Sequence, residues 1–194
     1  MEKHLFLIGP TGIGKSSLLR ETLGEKLALA GGYVTEAVLG RRGELEGYSL
    51  APAAAAAGIG GFEAKLFLDC RRFPPHADTE VYRSTGVRLL SESVFYPYVM
   101  LDELGGFELI VPQFREALME LLRSDLPIIG AVKTGVEAEA LREALGLGSK
   151  YRSWAQAFHA FLKQDGNTGL IELSALSRDA ARQAVREWEQ QYLP

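Results

Sequence analysis

Short apolar runs alternate along the chain with longer segments in which apolar residues recur every three or four positions. The short runs predict buried strands at residues 4–8, 33–39, 98–101, 127–132 and 169–173. The periodic segments predict helices at residues 15–30, 87–94, 112–122, 137–145, 151–163 and 181–192. Because most of the strands are apolar along their whole length, we expect both faces of the sheet to be covered. The pattern therefore predicts an α/β fold with a mostly parallel β-sheet and helices on both faces.

The region between residues 33 and 83 departs from this alternation. Residues 33–39 and 44–50 flank the turn Gly40-Arg41-Arg42-Gly43, which predicts a β-hairpin. Residues 51–83 contain five consecutive alanines, a glycine-rich stretch, two adjacent prolines and one short apolar run at residues 66–68, which indicates a possible short strand. Connections longer than ~15 residues are uncommon in compact domains and are often functional. We therefore expect a single domain over residues 1–194 with an irregular, lid-like insertion at about 51–83.

Composition excludes several classes of protein. With 194 residues, of which 47% are hydrophobic and 24% charged, the chain resembles an ordinary globular protein. Its net charge of -4 does not indicate a basic nucleic-acid-binding surface. Its one cysteine, Cys70, excludes an internal disulfide and a multi-cysteine zinc site. No apolar run reaches the ~18 residues of a membrane span, and the N-terminus lacks the pattern of a secretory signal, so a cytoplasmic protein is expected.

One motif carries specific chemistry. Residues 9–16 match the pattern G-x-x-x-x-G-K-[ST] and lie between a predicted strand and a predicted helix, as a phosphate-binding loop requires. The glycines let successive backbone N–H groups point at phosphate oxygens, and the helix after the loop adds the positive end of its dipole. Lys15 is expected to reach the β- and γ-phosphates, and the Ser16 hydroxyl to bind Mg²⁺. The predicted phosphate-binding residues are Gly9, Pro10, Thr11, Gly12, Ile13, Gly14, Lys15, Ser16 and Ser17.

An acidic pair at the end of another buried strand supplies the second half of such a site. Asp102 and Glu103 come directly after the apolar run 98–101. Asp102 is expected to hold Mg²⁺ through its water shell, and Glu103 to orient or deprotonate an attacking water. Residues 102–105 also match the D-x-x-G motif of GTPases. A GTP-specific switch is disfavoured because residues 133–136, after the strand 127–132, lack the aspartate of the guanine-binding motif.

With these motifs in place, the chain resembles a known family of small nucleoside-triphosphatases. That family includes thermophile enzymes and the vertebrate cancer-related nucleoside-triphosphatase. The resemblance implies a RecA-like P-loop fold and slow hydrolysis of ATP, GTP and other triphosphates to diphosphate and phosphate. It also implies catalytic roles for Lys15, Glu103 and a further acidic residue, Glu108. The matching segments, which lie in order between Leu5 and about Val132, are residues 9–16, 32–36, 47–50, 82–87 and 102–109.

One departure from the family pattern leaves the activity open. Family members usually carry a lysine at the position of Gly106, where it would stabilise phosphate charge. Two alternatives to a hydrolase remain, and the missing lysine favours the second of them. One is a kinase of small molecules or nucleotides, with its acceptor under the 51–83 segment and Glu103 as base. The other is a non-catalytic nucleotide-binding module that signals to a partner through the 51–83 segment or the helix 151–163; the sequence does not identify that partner.

Several arginines are candidates for contact with the phosphates. Arg41 and Arg42 lie at the predicted hairpin tip, and Arg71, Arg72 and Arg83 lie in or beside the 51–83 segment. One of the latter three could stabilise charge in the transition state as an arginine finger. The sequence does not choose among them.

Overall fold

The computed structural model describes residues 2–58 and 60–193 and has α/β architecture. Its strands are β1 His4–Ile8, β2 Ala30–Leu39, β3 Leu45–Pro52, β4 Lys65–Asp69, β5 His76–Ala77, β6 Tyr98–Leu104, β7 Ile128–Val132 and β8 Thr168–Glu172. Its α-helices are α1 Lys15–Leu23, α2 Thr79–Val81, α3 Val87–Glu92, α4 Pro112–Leu122, α5 Gly135–Ala144, α6 Ser149–Gln164 and α7 Arg178–Tyr192.

The described strands form one sheet in the order β5-β4-β3-β2-β6-β7-β1-β8. Neighbouring strands pair in parallel along β2-β6-β7-β1-β8. Strands β3, β4 and β5 extend the sheet beyond β2 with antiparallel pairing. The predicted mostly parallel sheet and the predicted hairpin are therefore confirmed.

Helices cover both faces of the sheet because alternate residues of a buried strand point to opposite sides. On β1, Phe6 packs in the core beneath α3, α4 and α6, whereas its neighbours Leu5 and Leu7 pack in the core beneath α1 and α7. Phe114 of α4 and Trp188 of α7 are fully buried on their respective sides. Among the described residues, none of the helices has the length and apolar composition that crossing a membrane requires.

The strand order decides which residues meet at the functional edge. Strand β7 lies between β1 and β6, and all three run in the same direction. The loop after β1, the end of β6 at Asp102 and Glu103, and the residue after β7, Lys133, therefore lie at the same edge of the sheet. In open α/β sheets, ligands bind at this carboxyl edge.

The first predicted helix is shorter in the structure than its apolar periodicity suggests. Helix α1 ends at Leu23, and a 3₁₀ segment, Gly24–Leu29, continues to β2. Gly31 and Gly32, which directly follow the predicted helix 15–30, lie within β2. Gly32 has a φ of 86°, and a Cβ placed on it would lie 2.3 Å from the carbonyl oxygen of Met100. This glycine therefore permits the close pairing of β2 with β6.

The segment 51–83 was expected to be an irregular, lid-like insertion with one possible short strand at 66–68. Strand β4 confirms that short strand, and the described residues are more regular than expected. Strand β4 pairs with β3 and adds β5 at the edge, so this part of the chain extends the sheet. The alanine run forms a 3₁₀ segment, Ala53–Ala57, whose first two residues are buried. Alanine is small enough to pack closely against the 3₁₀ segment after α1, so the run belongs to the core. Ile59 lies outside the described residues.

Candidate functional site

The loop between β1 and α1 has the curled shape that its sequence predicts. Gly12 and Gly14 adopt φ values of 80° and 97°, a left-handed region that favours glycine. The N–H of Ile13 donates to the carbonyl of Pro10 at 3.2 Å, which closes the turn. Helix α1 begins at Lys15, so its free N–H groups stand at the end of the loop. Curled backbone at a helix N-terminus is a general binding site for phosphate.

Lys15 links this loop to the acidic pair. Its side chain is almost entirely buried, with 5% exposed. The ammonium donates to the carbonyl of Gly9 at 2.5 Å and to that of Pro10 at 3.3 Å. Its Nζ also lies 2.8 Å from Oε1 of Glu103. The ammonium therefore occupies the space between the phosphate loop and the end of β6.

Ser16 and Asp102 have the arrangement expected of Mg²⁺ ligands. The Ser16 hydroxyl donates to Oδ1 of Asp102 at 2.9 Å, and Asp102 is fully buried. Oδ2 of Asp102 has no hydrogen-bond partner among the described residues. Burial raises the pKa of Asp102 to about 6, although the hydrogen bond from Ser16 acts in the opposite direction. A buried carboxylate oxygen without a partner, beside a hydroxyl, fits a hard cation.

The donor set also fits the coordination habits of Mg²⁺. The described residues contain no group of three or more histidine, cysteine, aspartate or glutamate side chains that could hold a metal ion alone. Mg²⁺ in nucleotide sites typically uses one or two protein oxygens and completes its shell with phosphates and water. The hydroxyl of Ser16 and the carboxylate of Asp102 supply such a pair.

Glu103 lies between two lysines, and the second lysine was missed by sequence reasoning. The ammonium of Lys133, the residue directly after β7, donates to Oε2 of Glu103. Burial alone would lower the pKa of Lys133, but the negative charge of Glu103 raises it above its usual value. In the sequence, Lys133 drew notice only as part of a missing guanine-binding motif. Its position after a buried parallel strand was the signal that could have found it.

Glu108 is held by the backbone of its own turn. Its Oε1 accepts the N–H groups of Gly105 at 2.7 Å and Gly106 at 2.8 Å, and its side chain is buried. Burial raises the pKa of Glu108 to about 7, although these hydrogen bonds oppose the shift. The carboxyl group thus stabilises the turn after β6 beside the site, and its catalytic role stays a prediction.

Lys133 lies where it can replace the lysine that family members usually carry at the position of Gly106. A Cβ placed on Gly106 would lie 3.5 Å from Cε of Lys133. The side chain of Lys133 therefore passes the place where a side chain at position 106 would start. A positive charge reaches this part of the site from β7 instead of from the turn after β6.

Two adjoining cavities open beside the phosphate loop. The smaller, of about 250 Å³, is lined by the loop and by Thr35, Tyr48 and Glu103. The larger, of about 390 Å³, shares Thr11 and the same three residues with it. Thr11 also donates to Glu137 of α5, a contact that the sequence pattern did not indicate. Strands β2 and β3, which carry Thr35 and Tyr48, therefore contribute to the walls of both cavities.

The arginines proposed from the sequence do not line these two cavities. Arg71 and Arg72 pair with Asp69, and Arg83 pairs with Glu80. Arg41 and Arg42 lie exposed at the hairpin tip, as expected for turn residues.

Another arginine lies beside the loop. Nη1 of Arg178, at the start of α7, is 3.5 Å from the carbonyl oxygen of Ile13. It is also 2.6 Å from the position that a Cβ on Gly14 would take. The guanidinium group therefore stands next to the second glycine of the phosphate loop.

Comparisons with known proteins agree with this geometry. A family model described as NTPase matches residues 4–148. Over 133 residues the chain is 27% identical to the nucleoside-triphosphatase THEP1 of Methanosarcina acetivorans. The matched stretch covers 66% of this chain and 75% of that protein. The fold is similar to the crystal structure of THEP1 from Aquifex aeolicus, with a TM-score of 0.62, 15% identity, and coverage of 94% of this chain and 96% of that one. The predicted RecA-like P-loop fold and the family resemblance are confirmed, and the chain belongs to the NTPase family.

Proposed function

We propose that this protein is a Mg²⁺-dependent nucleoside triphosphatase that hydrolyses ATP, GTP and other triphosphates to diphosphate and phosphate. One observation carries the proposal. The hydroxyl of Ser16, in a curled phosphate loop, is bonded to the buried carboxylate of Asp102, while the adjacent Glu103 faces the loop lysine. Phosphoryl transfer depends mainly on positioning and on stabilising charge, and this arrangement supports both.

The residues divide into two groups by role. The loop amides and Lys15 bind the β- and γ-phosphates, and Ser16 and Asp102 hold Mg²⁺. The metal neutralises charge on the phosphate oxygens when it is bound. Lys133 adds a second ammonium at the mouth of the loop.

Glu103 acts on the attacking water. In the described structure its carboxylate is neutralised by Lys15 and Lys133. When a triphosphate binds, its phosphate oxygens replace Glu103 as partners of both ammonium groups. The Glu103 carboxylate is then free to orient the water and accept its proton. The exchange of partners links binding of the nucleotide to activation of the base.

Tolerance of different bases is supported by the residues directly after β7. Lys133 and Thr134 stand where a guanine-specific enzyme would place the N/T-K-x-D motif, and the aspartate is lacking. The contacts that carry the proposal are all to phosphate and metal, which every nucleoside triphosphate shares.

The test is release of phosphate from ATP, GTP, CTP and UTP, with Mg²⁺ and with EDTA. We expect turnover of all four with Mg²⁺ only. Glu103→Gln should lower kcat by about 10²–10⁴-fold, as expected for loss of a general base, and Lys15→Ala should abolish turnover. Glu116→Gln, which changes an exposed glutamate of α4, is the matched control. Hydrolysis by Glu103→Gln at the wild-type rate would refute the role of Glu103.

A further inference from the structure

The larger cavity beside the phosphate loop is mostly apolar. Its volume is about 390 Å³, within the usual range of pockets for small organic ligands. It lies between β4, the turn after β6, and α5. Its apolar walls include Phe67, Leu68, Tyr82, Phe107 and Leu141. On the side of the loop where Glu103 lies, hydrolysis requires only a small polar position for a water molecule, so apolar walls of this extent exceed what hydrolysis uses there.

Three aromatic rings make part of this wall rigid. The ring centroids of Phe67 and Tyr82 are 5.2 Å apart, those of Tyr82 and Phe107 5.3 Å, and those of Phe67 and Phe107 5.5 Å. Such edge-to-face and tilted contacts are favourable, and they fix the ring positions. The cavity is therefore formed before any ligand enters.

One end of the cavity is polar and opens onto the phosphate loop. Glu103 and Thr11 line both this cavity and the smaller one at the loop. A molecule with its apolar body against the aromatic rings would thus present its polar end at Glu103, on the side where the γ-phosphate is expected.

The charges at the polar end select against an anionic ligand. The carboxylates of Glu103, Glu108 and Glu137 line the cavity, and Lys133 is its single basic lining residue among those described. Repulsion from the carboxylates disfavours a ligand that carries a phosphate of its own. A neutral molecule with a hydroxyl group meets no such penalty and can donate a hydrogen bond to Glu103.

We propose that this cavity binds a neutral alcohol with an apolar, ring-sized body, and that the alcohol replaces water as acceptor of the γ-phosphoryl group. This step rests on the nucleotide site proposed above. The alcohol oxygen forms a bond to the γ-phosphorus as the bond from that phosphorus to the β,γ-bridging oxygen breaks. The hydroxyl proton passes to the Glu103 carboxylate. The products are ADP and a phosphate monoester.

The experiment uses three alcohols of increasing reach: benzyl alcohol, 2-phenylethanol and 3-phenylpropan-1-ol. Each is incubated with the protein, ATP and Mg²⁺, and ADP, free phosphate and phosphate monoester are measured separately. We expect ADP to exceed free phosphate by the amount of monoester formed with at least one alcohol. Ethylbenzene, which has the apolar body without the hydroxyl, should give no monoester and should inhibit its formation.

Variants at exposed positions of α5 that line the cavity locate the reaction. Ala140→Trp, and independently Ala144→Trp, should lower monoester formation by about tenfold or more by filling the cavity. Phosphate release without alcohol should stay within about threefold of wild type, as usual for surface changes. Ala157→Trp, at an exposed position of α6 that does not line this cavity, should behave as wild type.

Two results would overturn the proposal. Equal amounts of ADP and phosphate with all three alcohols would exclude the acceptor role, and monoester formation that persists in both cavity-filling variants would exclude this cavity as the site. Failure of the nucleoside-triphosphatase function itself would be visible separately, as absence of phosphate release in the samples without alcohol.

Discussion

Replacing Lys133 by methionine tests whether the ammonium after β7 supplies the charge that Gly106 cannot. Methionine keeps most of the apolar stem and removes the donor to Glu103. Loss of one preorganised donor at a reacting centre typically costs about 3–4 kcal/mol of transition-state stabilisation, which is about 10²–10³-fold in kcat. We expect a decrease of this size for hydrolysis of ATP.

The expected effect on folding is smaller, and the structure gives the reason. Glu103 keeps its ion pair with Lys15 at 2.8 Å, so the substitution leaves no unpaired buried carboxylate. The Lys133 side chain is also 24% exposed. We therefore expect a loss of about 1–2 kcal/mol in the free energy of unfolding, towards the low end of values for hydrogen bonds to charged groups. In a chain of this size, that loss lowers Tm by roughly 2–8 °C.

The assay measures kcat and KM for MgATP together with thermal unfolding. Lys150→Met, at an exposed position of α6, is the matched control and should leave both unchanged. Lys133→Arg should recover part of kcat because it restores the charge without the same geometry. A Lys133→Met protein that remains folded and keeps kcat within about threefold of wild type would refute the reasoning, because one lost donor should cost far more.

Three further predictions rest on local geometry. Gly14→Ala places a Cβ at a φ of 97° and 2.6 Å from Arg178, so we expect KM for MgATP to rise by about tenfold. Gly135→Ala, where a Cβ would lie in open space, is the control and should leave KM unchanged. Gly32→Ala puts a Cβ 2.3 Å from a backbone oxygen and should lower the free energy of unfolding in urea by about 3 kcal/mol. Burial lowers the pKa of His4, so the unfolded chain binds more protons than the native state as pH falls below about 6.5. Stability in urea should therefore decrease below that pH, and less so in His4→Gln.

The phosphate loop and its acidic partners were predictable because each is written in a short stretch of sequence. The spacing of Gly9, Gly14 and Lys15 after an apolar run is enough to indicate the loop. Asp102 and Glu103 come after a second buried run, and parallel strands bring their carboxyl ends to one edge of the sheet. This reasoning predicts that the loop and the acidic pair lie close together, and the hydrogen bond from Ser16 to Asp102 agrees with it.

The position of Lys133 depends on strand order, which short motifs do not encode. β7 comes late in the chain, yet it lies between β1 and β6. Only this order brings Lys133 to Glu103. The cavity beside it was beyond prediction for the same reason, since its walls come from β4, the turn after β6, and α5.

The segment 51–83 is more regular than its sequence predicts, because its composition indicates irregular structure while its packing provides order. An alanine run has little apolar bulk, and a short strand such as β4 carries a weak signal alone. Both are stabilised by contacts that a local sequence pattern does not show. Ala53 packs in the core under α1 and α7, and β4 pairs with β3. Tertiary contacts thus overrode local propensity.

Under the two proposals made above, the charges at the site make hydrolysis and transfer to an alcohol compatible in one protein. The ammonium groups of Lys15 and Lys133 both contact Glu103 at the mouth of the loop, where both can pair with the γ-phosphate. Once the phosphate pairs with both lysines, Glu103 stands at the junction of the two cavities with a free carboxylate. The base is the same for either acceptor, so the group that reacts is decided by the molecule that fills the apolar cavity. The proposals therefore predict that water reacts when the cavity holds no alcohol, and that a bound alcohol excludes water from that position.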